Sequence, residues 1–509
     1  MRSLALLLGL IISCLGSKGL VHAQAQDASM PPVVSALLEA LDAGDRAAVE
    51  SVLSRDFAPV AFERRPRPEV RASLEEVMTL AGGLDVDIMN VKSFIVQARL
   101  TTKKPVTDSR GASTVRSMYF ETALGPAGTA DAGKVIDFTL LSIPPVSLDA
   151  SLQFDEQPGE DSQVAARILQ KLEDLAAGDL FSGAALLARG DRILWQAAFG
   201  DAEKNHRSKN TVHSRFHMAS ATKMFTGVAI GQLVEAGKLG FDTRLGAVWP
   251  DYPNQAVAEQ ITIGQMLTHT SGLGEGLTAA VQKADTPFRE LDAAIRVSVG
   301  EPLLFEPGTN WAYSNLGYMV LGRVIELLSR MSYREYVRIH ILEPAGMTET
   351  DDIDLTAVVP GLAIGYSRKA DDPLGIRERH ANWPLVLGFR GGSAGGWYST
   401  APDMLKFMRA LRTYKLLGRE MTEQITTGRY SLSPTRSYAY GMWERTHEGV
   451  AVRGHGGGGL GFGINTEVNT VWTAGGEQTD WTFVILSNYD PPLTQDFSDA
   501  VLRFLVERP

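Results

Sequence analysis

A serine and a lysine stand three residues apart at Ser220 and Lys223. They open a run in which Met224, Val228, Ile230, Leu233 and Val234 recur at helical spacing and which stops at Gly237. On a helix that spacing puts both polar side chains on one face. A hydroxyl at the positive end of a helix dipole, with an amine one turn on to take its proton, is a nucleophile built without a histidine base. Its chemistry is attack on a carbonyl. Ser-x-x-Lys is short enough to recur by chance in a long chain, so its meaning rests on its company.

Two further stretches supply that company. In Phe305-Glu-Pro-Gly-Thr-Asn-Trp-Ala-Tyr-Ser-Asn-Leu-Gly-Tyr318, Tyr313 and Asn315 flank Ser314 just before an apolar helix from Leu316 to Leu328. A turn there presents both side chains: Tyr313 as a candidate general base beside Lys223, Asn315 as a ligand for a substrate amide or for the lysine. The competing reading of Tyr313 is a packed core tyrosine. Tyr252-Pro253-Asn254 repeats the pattern, but Trp-Pro-Asp-Tyr-Pro reads as a surface loop and no helix is expected after it. In Val450-Ala-Val-Arg-Gly-His-Gly-Gly-Gly-Gly-Leu-Gly-Phe462 a strand ends in Gly456, Gly457 and Gly458, with His455 at its edge. Backbone N–H groups can approach a substrate closely there, and one near Gly458 is expected to pair with the Ser220 N–H as an oxyanion hole. A plain glycine turn is the alternative.

Taken together, Ser220-x-x-Lys223, Tyr313-x-Asn315 and His455-Gly456-Gly457 resemble, in order and approximate spacing, the motifs of the serine β-lactamase-like superfamily. Class C β-lactamases, D-alanyl-D-alanine carboxypeptidases and family VIII esterases are the most similar branches. Met266-Leu-Thr-His-Thr-Ser-Gly-Leu273 and Gly391-Gly-Ser-Ala-Gly-Gly-Trp-Tyr-Ser-Thr-Ala-Pro-Asp403 look like accessory segments of that family. The resemblance covers about residues 163 to 509. It implies an acyl-enzyme mechanism in which Ser220 attacks a carbonyl, Lys223 and Tyr313 act as a coupled pair shuttling the proton, and water releases the acyl group, with no metal. Substrates of this class are small molecules or peptides. A non-catalytic penicillin-binding-like sensor on the same scaffold is the alternative function.

One position departs from the pattern. Where β-lactamases carry Lys-Thr-Gly, this chain has His455-Gly456-Gly457. A lysine is a permanent cation suited to a substrate carboxylate, whereas an unperturbed histidine, with a pKa of about 6.5, is mostly neutral above pH 7. Arg453, two residues earlier and about 7 Å along the strand, is the candidate to supply the charge instead. The change disfavours β-lactams and favours esters or peptides. Gly391-Gly-Ser393-Ala-Gly395 also matches the nucleophile elbow of α/β-hydrolases, but Trp383-Pro384 and the residues up to Gly392 make a poor preceding strand. Thr268-His269-Thr270-Ser271 reads as a structural turn.

The elements that must position these residues follow from the rest of the chain. Its 509 residues, 44% of them hydrophobic, are enough for two or three domains. A net charge of −10 without a Lys/Arg cluster excludes a nucleic-acid footprint. Met1-Arg2, an apolar run from Leu4 to Ile12 and Val21-His22-Ala23 read as a secretory signal of residues 1–23, giving a periplasmic or secreted protein. That run is too short to span a membrane. Ile11-Ile12-Ser13-Cys14 is the alternative, a lipoprotein box that would tether the protein through Cys14. Cys14 is the only cysteine and the nine histidines lack metal-ligand spacing, so no disulfide, metal or other cofactor is expected. Nothing in the sequence fixes an oligomeric state.

Residues 24–145 read as a small α+β domain, with short helices at Val33 to Leu41 and from Asp45, then strand-like segments at 85–100, 114–124 and 134–141. That order resembles the nuclear-transport-factor-2-like fold. A linker is expected over 146–162, and a hydrolase domain over 163–509. The latter begins with a helix at Val164 to Leu175 and a hairpin over 183–199. It closes with strands at 439–443, 463–468 and 481–486 and a helix at 495–506. The expected fold class is α+β: an antiparallel sheet covered by helices from both ends, with a helical lobe between.

Overall fold

The computed structural model describes residues 30–506 except 63–65, 93–94, 109–110, 112, 115, 125–129, 144–151, 153, 155–158, 275–294, 296–301, 353–357, 369–371, 373–374, 376–377, 383–391, 460–461, 474–475 and 477. The signal segment with Cys14, most of the expected linker and Trp383-Pro384 therefore lie outside the described residues. Two compact units emerge. One holds the described residues up to 153 together with 366–381; the other holds 154–365 and 382 onward.

In the first unit, α1 (Pro32–Ala43) stops at Gly44, whose φ of 68° is left-handed. Asp45 caps α2 (Arg46–Arg55) by accepting from the amides of Ala47 and Ala48 at 3.0 Å each. A third helix, α3 (Arg67–Ala81), escaped the sequence reading. The sheet is an antiparallel meander of β1 (Leu84–Lys92), β2 (Ile95–Thr102), β3 (Ser117–Leu124) and β4 (Val135–Ile143), so the single stretch expected at 85–100 is two strands. Val96, Ala98 and Leu100 alternate into a core shared with Leu37, Leu74 and Val77.

The second unit opens with α4 (Asp161–Ala177) and the hairpin β5 (Gly183–Arg189) and β6 (Arg192–Phe199). Its middle holds α5 (Lys223–Glu235), α6 (Asn315–Ser329), α7 (Ala401–Arg412) and α8 (Arg419–Thr426). The C-terminal strands are β7 (Tyr430–Ser433), β8 (Arg436–Tyr438), β9 (Trp443–His447), β10 (Val450–Gly459), β11 (Ile464–Trp472) and β12 (Trp481–Ser487), before the closing helix α9 (Leu493–Val506). One eight-stranded antiparallel sheet runs β7-β8-β9-β10-β11-β12-β5-β6, so the two ends of the unit zip together at β12 and β5. The unit is of the α+β class, an antiparallel sheet with helices packed against it.

Two local expectations are corrected. The spacing along α5 suggested one apolar face, yet residues 223–231 and Leu233 are all buried, which makes α5 a core helix. The strand expected at 439–443 is, over 439–442, a turn closed by Ala439 N donating to Met442 O at 2.8 Å, with Gly441 at φ 92°, and only Trp443 belongs to a strand, β9. The turn presses against α5: a Cβ on Gly227 would sit 2.1 Å from Tyr440 O, and one on Gly441 2.7 Å from Lys223 O. Both positions need glycine because two backbones meet there.

Candidate active site

Ser220 lies in a 3-10 turn, Ala219–Thr222, that leads straight into α5. Ala219 adopts a left-handed φ of 42°, a conformation that costs an alanine about 1–2 kcal/mol and is held here from both sides. Its amide donates to His217 Nδ1 at 3.0 Å, and its carbonyl accepts from Thr222 Oγ1 at 2.8 Å. The strained turn leaves Ser220 half-buried while Lys223, one turn on, is fully buried.

Lys223 Nζ lies 3.2 Å from Ser220 Oγ. It donates to Asn315 Oδ1 and to the Ala394 carbonyl, each at 2.6 Å. Thr226 donates to the neighbouring Ser393 carbonyl at 2.7 Å, so the first turn of α5 grips two consecutive carbonyls of the 392–395 bend. That bend is no nucleophile elbow: it runs into the short strand Tyr398–Ser399 rather than a helix, and Ser393 is wholly buried.

Asn315 is the first residue of α6, and Ser314 is its cap. Ser314 Oγ accepts from Gly317 N at 2.9 Å and donates to Gly274 O at 2.8 Å, which fixes the flanking pair. Its own amide donates to His269 Nδ1 at 3.0 Å. The Tyr313 ring then stacks on His269 at 4.2 Å between centroids, with Lys223 Nζ 4.7 Å from the Tyr313 centroid. His269 is thus structural, as its sequence context implied, yet it props the site directly. Burial and the positive charge of Lys223 push its pKa well below the usual histidine value.

The glycine strand closes the other side. β9 pairs with β10 only as far as Gly454, so His455 to Gly459 keep β11 on one edge and leave the other open. A Cβ on Gly457 would meet Met218 O at 2.4 Å and Ser220 N at 2.8 Å; one on Gly456 would meet Glu467 Oε1 at 1.9 Å on the opposite face. Thr466 Oγ1 ties the strand to the Ser220 turn by reaching Gly457 O at 3.1 Å and Met218 O at 3.3 Å. Gly457 is thus the strand residue packed against the Ser220 amide.

His455 is only 1% exposed. Its Nδ1 lies against the Gly456 carbonyl and its Nε2 is 3.0 Å from Tyr438 Oη. Burial, aided by the charge of Lys223, pushes its pKa down to about 3, so it is neutral. Arg453 is not brought into the cleft. Its guanidinium meets Glu444 at 2.9 Å, Glu423 at 3.0 Å, and the hydroxyls of Thr426 and Thr427 at 3.1 Å, and it stacks over Trp472. That commitment takes it away from the carboxylate-anchoring role expected from its place on the strand. Sequence reasoning missed Tyr438, which contacts His455 and packs 4.6 Å from both the His269 and Trp443 rings. It stands one residue before the misread 439–443 segment.

Among the described residues no group of three His, Cys, Asp or Glu side chains is placed to hold a metal ion. No helix among them is long and apolar enough to cross a membrane.

Known proteins resemble this chain over its second unit. A family model described as Beta-lactamase matches residues 166–508. A Bacillus subtilis protein named for penicillin binding, PbpX, is 31% identical over 273 residues, covering 54% of this chain and 64% of that one, less than two thirds of its length. The crystal structure of a penicillin binding protein from Bacillus halodurans superposes with a TM-score of 0.57 at 29% identity, covering 66% of this chain and 98% of that one. D-amino acid amidase from Ochrobactrum anthropi SV3 shares the fold, with a TM-score of 0.55 at 22% identity over 66% of this chain and 98% of that one.

Proposed function

The chain belongs to the Beta-lactamase family, and on that premise we propose that it is a serine hydrolase cleaving an ester or amide through an acyl-enzyme on Ser220. The observation that carries this reading is the bed of Lys223. Asn315 Oδ1 and Ala394 O, which its Nζ meets at 2.6 Å, only accept, so they take two N–H groups. In a neutral amine that leaves the lone pair directed at Ser220 Oγ, where it can accept the hydroxyl proton.

In the acylation step Ser220 Oγ bonds to the substrate carbonyl carbon while its proton passes to Lys223, with Tyr313 as the coupled partner. The carbonyl π electrons move onto oxygen, which the N–H of Ser220 and one from the Gly457-Gly458 stretch of β10 stabilise. Collapse expels the alcohol or amine, which takes the proton from the Lys223/Tyr313 pair. Water then attacks the acyl-enzyme, gives its proton to the same pair, and Ser220 leaves as the hydroxyl. Asn315 orients Lys223. Relatives named for penicillin binding and for D-amino acid amide hydrolysis support an acyl substrate of this class.

The test is covalent labelling with a fluorophosphonate and a fluorescent penicillin, followed by mass spectrometry and by turnover of p-nitrophenyl esters, nitrocefin and D-amino-acid peptides. A Ser220 adduct that is released with product supports the hydrolase. No adduct at Ser220 defeats it, and an adduct that never turns over favours the sensor alternative. Export is part of the same proposal, resting on the Met1–Ala23 pattern. N-terminal sequencing of the exported protein should begin at Gln24, and a lipidated Cys14 at the new N-terminus would replace this reading.

A further inference from the structure

Two peptides flank the left-handed Ala219, and side chains hold each of them. In the Met218–Ala219 peptide, the Ala219 amide donates to His217 Nδ1 at 3.0 Å, and the Met218 carbonyl accepts from Thr466 Oγ1 at 3.3 Å and from Ala221 N at 3.0 Å. In the Ala219–Ser220 peptide, the carbonyl accepts from Thr222 Oγ1 at 2.8 Å. Two glycines crowd that second peptide: a Cβ on Gly395 would sit 3.1 Å from Ala219 O, and one on Gly457 2.8 Å from Ser220 N. The φ of Ala219, 42°, is one of the two rotations that set these peptides against each other, so it persists only while both are held. Ser220 follows that rotation, and with it go its Oγ and its N–H.

The local backbone suits His217 to this contact. Met218, at φ −85° and ψ −10°, turns the Ala219 amide back over the His217 side chain. This is the i to i+2 arrangement of an Asx turn, with an imidazole nitrogen in place of a side-chain oxygen. The ring is fixed from its own strand: Phe216–His217 pairs with Tyr398–Ser399, and the Tyr398 ring meets it edge-on at 4.9 Å and 87°. Met218 N extends that pairing by donating to Trp397 O at 2.8 Å. Because Nδ1 accepts, the ring proton is on Nε2. Desolvation among these neighbours pushes the His217 pKa down to about 4, so the ring is neutral near pH 7.

Building on the hydrolase reading, we propose that His217 is a positioning residue for the nucleophile: by accepting the Ala219 amide it holds the turn that sets Ser220 Oγ beside Lys223 and the Ser220 N–H beside Gly457. It touches no reacting atom and carries no proton in the reaction. Its whole contribution is one accepted hydrogen bond.

Two variants of the full chain separate the acceptor from the ring. His217→Phe keeps a flat ring against Tyr398 and removes the acceptor. His217→Asn removes the ring and keeps an oxygen that can accept from the amide two residues on. With a p-nitrophenyl ester, His217→Phe should lower kcat by about thirtyfold or more while KM changes less than about threefold, and His217→Asn should stay within about fivefold of the wild type in both. A His217→Phe enzyme within about threefold of the wild-type kcat, or a His217→Asn enzyme as impaired as His217→Phe, overturns the proposal. A second readout needs no turnover. Hydrogen exchange of the Ala219 amide is followed by NMR of 15N-alanine-labelled protein, with the signal assigned by its loss in Ala219→Gly. Exchange should be slow in the wild type and in His217→Asn, and about tenfold or more faster in His217→Phe. Equal rates in the wild type and His217→Phe overturn the proposal. If His217→Phe does not fold, a wild-type Ala219 amide that exchanges as fast as those of exposed loops overturns it, and a protected amide with an active His217→Asn supports it. If the wild type cleaves no ester and takes no label at Ser220, the hydrolase reading fails, and the exchange rates alone judge whether His217 holds the turn.

Discussion

Lys223 and Arg453 are both buried basic side chains, and their surroundings give them opposite fates. Lys223 is held by neutral oxygens, from Ser220, Asn315 and the Ala394 backbone. Arg453 is held by two carboxylates, Glu444 and Glu423. A carboxylate stabilises a charge and ties it down, whereas amide and carbonyl oxygens orient an amine without fixing a proton on it. The surroundings of Lys223 thus suit the proton transfer proposed for it, whereas those of Arg453 make it structural.

The contrast can be broken most severely at the nucleophile. Ser220→Ala should abolish the covalent adduct, and Lys223→Ala should lower kcat/KM by about a thousandfold or more in a p-nitrophenyl ester assay, with little change in far-UV circular dichroism. Lys223→Arg should fail to rescue, because a guanidinium keeps its proton. A Lys223→Ala enzyme within tenfold of the wild type would remove the lysine from the mechanism.

Gly457→Ala comes next. Its methyl would collide with Met218 O and Ser220 N, pushing the glycine strand away from the nucleophile turn. A drop in kcat of about a hundredfold, with KM changing less, is the expected kinetic signature.

Arg453→Ala tests the other half of the comparison. It leaves Glu444 and Glu423 without their cation and should destabilise the fold by about 2–3 kcal/mol, discounted because Glu423 is partly exposed. Denaturant unfolding measures this, and kcat/KM for acid and neutral substrates should fall together by less than about threefold. A selective loss on carboxylate substrates would return Arg453 to the binding site.

The smallest effect is a pH slope. His269 and His455 are buried and neutral in the folded protein, His455 down to about pH 3. In the unfolded chain both take a proton below about pH 6.5, so the unfolded state binds more protons there and stability falls as pH drops, by about 1.4 kcal/mol per histidine per pH unit. Above that pH neither costs stability. Thermal unfolding between pH 7 and 5 should show the decline, and His455→Gln should make it shallower.

How much of this was visible in the residues depends on what holds each one. The Ser220/Lys223 pair was legible because one turn of helix links them and an i to i+3 spacing survives any packing around it. Asn315 was legible from the cap pattern that precedes an apolar run, and the closing strands from their apolar runs. The 439–443 segment was misread because its apolar residues resemble a strand. Gly441 turns the chain there because α5 passes beneath it. Tyr438 was hidden for the same reason.

By itself, then, the sequence singled out Ser220, Lys223, Tyr313 and Asn315, which the fold brings together, since side-chain identity and local spacing are written residue by residue. Only the tertiary structure decided that the Ala394 carbonyl, 171 residues beyond Lys223, is what holds the amine, that Arg453 is bound to carboxylates, and that His455 is kept neutral. The physical reason is that every residue carries the same carbonyl, and that the charge state of a buried group is set by neighbours the chain brings together only when it folds.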